Sequence, residues 1–182
     1  MNTGVLVDRS TGVRVRVGRE LHAIKGDLPA GWEGRIFRLV EGWPTLHAAN
    51  FALPPQDGEF GSLALSSMGP AGVFIALTEY TPRLAGRGLF GSQGLRLPLA
   101  GDFDSRALVR LRSGRFGVQR FFTAAERALC LYVVVGSVPS RAALVDTARP
   151  VLSTLEIGPA TPASTEGQDS GAEATGTSLR RL

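Results

Sequence analysis

The apolar positions between Arg115 and Ile157 follow two different periods, and the change from one to the other fixes an architecture. In Arg115–Thr123, Phe116, Val118 and Phe122 recur at alternate positions with Arg120 the exception among them, which is the spacing of a strand with one buried face. After the polar joint Ala125, Glu126 and Arg127, the run Leu129–Val135 is continuous and rich in β-branched and aromatic types; it is expected to be buried on both faces. Gly136 and Ser137 stop it, and Pro139 suits a first helical turn, where a missing N–H costs nothing. Leu144, Val145, Ala148, Val151, Leu152 and Leu155 then recur at helical spacing, a stripe that needs a sheet beneath it. Pro150 lies inside that stripe and removes one backbone donor, which predicts a kink or a break.

Upstream, Val13–Val17 alternates strictly and predicts an edge strand with Arg14 and Arg16 toward solvent. Pro29 to Trp32 reads as a turn, and residues 33–40 and 46–53 as the next strands. After the loop at Pro54–Gly58, Phe60, Ala64 and Met68 share a helical face, closed by Gly69 and Pro70. Val73–Tyr80 is a strand. Residues 81–100 form a glycine-rich excursion carrying Leu84, Leu89, Phe90, Leu95, Leu97 and Leu99, a loop that either packs on the body or covers a site. Beyond Ile157 the chain turns to Pro, Ala, Thr, Ser and Gly, with no aromatic residue; residues 158–182 are expected to be a disordered tail, because they offer too little apolar surface to offset ordering. Residues 1–157 then make one α+β domain, an antiparallel β-sheet with helices packed on it.

Composition changes this picture in two places. Of the 20 basic residues only Lys25 is a lysine, a ratio that a GC-rich coding sequence produces without a selected guanidinium function. Yet Ser105 to Arg120 holds Arg106, Arg110, Arg112, Arg115 and Arg120 with no carboxylate. Arg110 and Arg112 alternate, so on a strand they share a face, and Arg115 and Arg120 could extend it across the hairpin into a surface for an anionic partner. Cys130 is the single cysteine, which excludes an internal disulfide and, from its place in an apolar strand, reads as an inert core thiol. The N-terminus lacks the apolar core of a signal peptide and no run approaches the roughly 20 apolar residues of a membrane span. A soluble, cytoplasmic protein with no membrane partner is expected.

Catalytic signatures are sparse. His22 and His47 are far apart and unaccompanied by clustered ligands, so no metal site is assigned. Ser66 or Ser67 with His47 could form a nucleophile and base, but neither serine sits in a nucleophile elbow. Asp102 and Asp104 read as turn and cap residues ahead of Ser105. Gly86, Gly88 and Gly91 satisfy the dinucleotide spacing formally, without the strand before or the helix after that the chemistry needs. Arg110, Arg112, Arg115 and Arg120 interleave with Phe116, Phe121 and Phe122, the ingredients of phosphate contact and base stacking, although the segment departs from the RNA-recognition strand motif at the residue after Arg115. No catalytic, cofactor-binding or metal residue is assigned, and no cofactor is expected.

The paired strands ending in Leu131–Gly136, the helix from Ala142 to Leu155 closing on Val151–Ile157, and the turn Gly31–Glu33 entering an early strand resemble proteins of the PsbP-like α/β/α sandwich, including lipoproteins of the LpqN type. This chain departs from the lipoprotein members by lacking a signal segment and a lipidated cysteine. The resemblance implies a non-enzymatic accessory or binding module. The leading expectation is therefore a protein-interaction domain of a larger bacterial assembly. The alternatives are a small-ligand carrier or enzyme with a site under residues 81–100, and a weak nucleic-acid or polyanion binder through Arg110, Arg112, Arg115 and Arg120.

Overall fold

The computed structural model describes residues 23–37, 44–106, 108, 114–137 and 141–159. Its strands are β1 (Ile24–Lys25), β2 (Glu33–Phe37), β3 (Thr45–Ala49), β4 (Val73–Tyr80), β5 (Phe116–Ala124), β6 (Arg127–Val135) and β7 (Glu156–Ile157); its α-helices are α1 (Ser62–Ser67) and α2 (Arg141–Ser153). The fold is α+β. Five strands form one antiparallel sheet in the order β2-β3-β4-β6-β5, and β1 pairs with β7 in a separate two-stranded ribbon. The expected strand at Val13–Val17 and the tail beyond Pro159 lie outside the described residues.

Alternation explains the two cores. Val73, Ile75 and Leu77 of β4, with Leu129, Leu131 and Val133 of β6, project to one face, where Leu144, Val145, Ala148, Val151 and Leu152 of α2 cover them. Phe74 and Ala76, with Tyr132 and Val134, project to the opposite face, against Ala64 and Met68 at α1. A strand covered on both sides has no polar face to show, and β6 is buried along its whole length. Even its charged first residue is enclosed: the Arg127 guanidinium grips the Glu79 carboxylate at 2.8 and 2.6 Å, and donates to the Gly158 carbonyl at 3.2 Å. The ion pair compensates the burial of the guanidinium at the end of the strand.

Three local features differ from the sequence pattern. Helix α2 runs unbroken through Pro150 to Ser153. The proline stands three residues from the helix end, so it forfeits a single backbone bond near a terminus where the carbonyls of Pro150 and Val151 are taken up by Thr154 Oγ1, at 3.1 Å each. The joint between β5 and β6 is a two-residue turn in which Ala125 and Glu126 both have positive φ, 48° and 62°; this geometry matches the twist of the flanking strands but is usually left to Asn and Gly. Gly61 enters α1 with φ of 71°, and a Cβ there would sit 2.1 Å from Cζ of Phe74, so both the backbone and the ring beneath exclude a side chain.

The 81–100 excursion serves the sheet edge. Phe90 is buried, in edge-to-face contact with Phe121 at 5.3 Å. The Thr123 hydroxyl donates to the Phe90 carbonyl and accepts from the Gly86 N–H, both at 2.7 Å. Edge strands left bare invite pairing with other chains, and this segment is strapped along β5.

Candidate functional site

A cleft of about 490 Å³ opens on the face of the sheet opposite α2, between α1, the loop before it and the β5–β6 hairpin. It lies away from the 81–100 excursion, which contributes no residue to it. Its size is that of a site for a small molecule or for one or two side chains of a peptide. α1 is only six residues long, so it roofs the Phe74 end of the face and leaves the Gln119 end uncovered.

The floor is the cross-strand pair Gln119 and Tyr132. The Tyr132 ring lies 5.1 Å from that of Phe60, and burial raises its phenol above the usual range. Gln119 Nε2 donates to Cys130 Sγ at 3.4 Å; burial pushes that thiol up to about 11, so it is protonated and unreactive at neutral pH. One wall is the Glu59 carboxylate, which accepts the Tyr80 hydroxyl at 2.6 Å. Burial, and then the Glu59 carboxylate itself, raise the Tyr80 phenol. Opposite stands Arg115, whose guanidinium donates to the carbonyls of Leu65 and Met68, the latter at 2.9 Å. It thereby satisfies the C-terminal acceptors of α1 and fixes the helix as the cleft's roof.

The loop that carries Glu59 and Phe60 is held from behind. Asp57 is buried and accepts from the backbone N–H groups of Leu63 at 3.0 Å and Ala64 at 2.8 Å, acting as the cap that Gly61 has no side chain to provide. His47 is fully buried with its ring centroid 4.7 Å from Phe37 and 4.9 Å from Phe74, and its Nε2 is 3.1 Å from the Glu59 carbonyl. Burial lowers its affinity for a proton, a bias that the Glu59 bond and the Asp57 charge only partly oppose.

Of the four arginines singled out by sequence, two are described. Arg110 and Arg112 lie outside the described residues. Arg115 and Arg120 differ by an odd number of positions and project to opposite faces of the sheet: Arg115 reaches α1, while Arg120 meets Asp102 at 2.6 Å on the α2 side. They form no common surface. Phe116 and Phe122 belong to the α2-side core, and Phe121 packs on Phe90 and Tyr80, so these rings serve packing.

Asp102 accepts from the Leu99 N–H at 2.7 Å, the main cause of its lowered pKa, and Asp104 accepts from the Arg106 N–H at 2.8 Å, the local turn-forming bonds expected of them. Ser66 and Ser67 spend their hydroxyls on the carbonyls of Leu63 and Ala64, at 2.7 and 3.0 Å, away from His47. Gly88 and Gly91 bound a 3₁₀ turn and Gly86 lies in the turn before it, with no α-helix directly behind them. Among the described residues no three His, Cys, Asp or Glu side chains group as a metal site, and no helix is long and apolar enough to cross a membrane.

Sequence reasoning passed over Glu59, Phe60, Gln119 and Tyr132. The available signal was their pairing: Tyr132 is the one residue with a hydroxyl in the run Leu129–Val135, and strand alternation places Gln119 directly across from it. The chain matches no family model, no curated protein and no solved structure.

Proposed function

We propose that this protein is a non-enzymatic interaction domain that receives part of a partner protein in the cleft between α1 and the β5–β6 hairpin. The observation that carries the reading is the half-roofed sheet face, with two aromatic rings, an amide and a carboxylate converging on an open cleft. Its side chains suit recognition: aromatic area for burial, and polar groups to set orientation. Of the two serines on the cleft, Ser66 spends its hydroxyl on the Leu63 carbonyl and Ser62 stands on the exposed rim, while the one described histidine, His47, is enclosed away from both, so the described residues offer no serine with a histidine base on the cleft. Helices on both faces of an antiparallel sheet are compatible with the resemblance to PsbP-like sandwiches, which implies an accessory module.

Site-specific photo-cross-linking tests this. A benzophenone amino acid at Ser62, on the exposed rim of the cleft, should give a discrete protein-sized adduct in the source cells, whereas the same group at Asp146, on the exposed face of α2, should not. A small molecule that co-purifies at one equivalent and is released on denaturation, with no protein adduct at Ser62, overturns the reading in favour of a ligand carrier.

A further inference from the structure

The outer edge of β5 is left incomplete where it meets the cleft. The tight turn at Ala125 and Glu126 pairs Ala124 with Arg127, so even-numbered residues of β5 bond to β6 and Gly117, Gln119, Phe121 and Thr123 turn their N–H and C=O outward. Both ends of that edge are clasped. Gly117 exchanges bonds with Asp104, at 3.1 Å in each direction, and Thr123 donates to Ser92 at 2.7 Å and accepts from Gly94 at 2.8 Å. Between the clasps, the outward main-chain groups of Gln119 and Phe121 have no hydrogen-bond partner among the described residues. The segment joining the clasps leans to the other side, where Leu95, Leu97, Ala100 and Phe103 pack into the α2-side core. The open stretch is therefore continuous with the cleft, whose floor includes Gln119.

The segment that straps this edge carries charge of one sign. From Thr81 to Gly101 there is no carboxylate, while Arg83, Arg87 and Arg96 are exposed and make no ion pair within 4 Å among the described residues, Arg96 acting on Asp102 only at longer range. Arg106 stands exposed just beyond the Asp104 clasp. The nearby carboxylates are already engaged: Asp102 by Arg120 and the Leu99 N–H, Asp104 by the Arg106 N–H, and Glu59 in the cleft wall by the Tyr80 hydroxyl.

We propose that the β5 edge at Gln119–Phe121 takes an extended, acidic segment of the partner protein as an added strand, with an inward side chain entering the cleft beside Tyr132. The inference rests on the interaction-domain reading and names the recognition mode. Two N–H and two C=O groups spaced about 7 Å along the edge match every second residue of an incoming strand. Main-chain bonds then give affinity, the cleft selects the alternate side chain, and the arginines favour carboxylates in a salt-dependent way.

The test uses the full chain and a fluorescent, end-blocked peptide of alternating Glu and Val, followed by anisotropy at low ionic strength. Saturable binding is expected. It should weaken about tenfold or more when the central peptide nitrogens are methylated, and a Lys–Val peptide of the same pattern should not bind. Gln119→Pro should weaken it about tenfold further than Gln119→Ala, because the 119 N–H points outward and proline removes it without breaking a bond to β6. Circular dichroism and thermal melting confirm that each variant is folded. Equal binding of the methylated peptide, binding of the Lys–Val peptide, or no binding overturns the proposal. So does concentration-dependent dimerisation of the chain that Gln119→Pro abolishes, since the edge is then filled by a second copy. A Ser62 adduct that persists in Gln119→Pro leaves the interaction domain standing and removes only the added strand; loss of the Ser62 adduct in the unaltered protein removes both.

Discussion

Replacing Asp57 by alanine tests whether one buried carboxylate holds the roof of the cleft. Asp57 is 6% exposed, its Oδ1 accepts from Gly58 at 2.7 Å and Leu63 at 3.0 Å, and its Oδ2 accepts from Ala64 at 2.8 Å. Helix α1 has six residues, well below the length at which a helix holds itself together. Asp57→Ala leaves two of its first-turn donors without partners. A bond to a charged acceptor contributes about 1.5–3 kcal/mol and loss of an ordinary cap costs about 0.5–2 kcal/mol. Water reaching the freed N–H groups offsets part of this, so the expected loss is about 2–4 kcal/mol. At about 2–4 °C per kcal/mol for a chain of this size, the melting temperature should fall by roughly 4–16 °C. Urea denaturation should show a lower midpoint with an unchanged slope. Asp27→Ala, at an exposed carboxylate, serves as control and should stay within about 0.5 kcal/mol. An Asp57→Ala loss no larger than that control would show that α1 is held by packing alone.

Three further outcomes follow from the geometry. Because burial depresses the His47 pKa, the unfolded chain binds the extra proton more readily than the folded one; stability should be intact above the ordinary histidine pKa of about 6.5 and fall as pH drops below it, and His47→Phe should remove that part of the loss in pH-dependent urea melts. Cys130, buried with its pKa raised to about 11, should resist a thiol reagent at pH 8 in the native protein and react at once in denaturant; fast native labelling would contradict its place in β6. Ala125→Asn with Glu126→Gly relieves two left-handed residues and should raise stability by about 1–2 kcal/mol, measured as a higher urea midpoint; an unchanged midpoint would mean that the turn is not strained.

The elements with strong local period were legible in the sequence. The stripe Leu144, Val145, Ala148, Val151 and Leu152 is the buried face of α2, and the continuous run at Leu129–Val135 is the central strand covered on both sides. What local pattern could not supply were features that depend on residues far apart in the chain. Arg127 is charged and sits at a turn, so it reads as solvent-exposed, yet Glu79, 48 positions away, makes its burial tolerable. Asp57 belongs to a loop by composition, and only the returning chain at Leu63 and Ala64 turns it into a cap. Pro150 signals a break that its nearness to the helix end makes cheap.

The site was legible to a lesser degree, and for one reason. Sequence draws the eye to charge density, and Arg115, just ahead of β5, and Arg120 within it satisfied that test while reaching to opposite faces of the sheet. A cleft instead arises where cover runs out. Here a six-residue helix stands over a sheet face that α2, at 13 residues, covers fully on the other side. The same inequality explains the edge: the excursion that straps β5 packs its Leu95 and Leu97 toward α2, where the larger core gives them apolar neighbours, and so leaves Gln119 and Phe121 open on the poorly covered side. Uneven burial of the two faces thus puts the open cleft and the edge at Gln119 and Phe121, unpaired among the described residues, next to each other, and a partner that fills one is placed to complete the other.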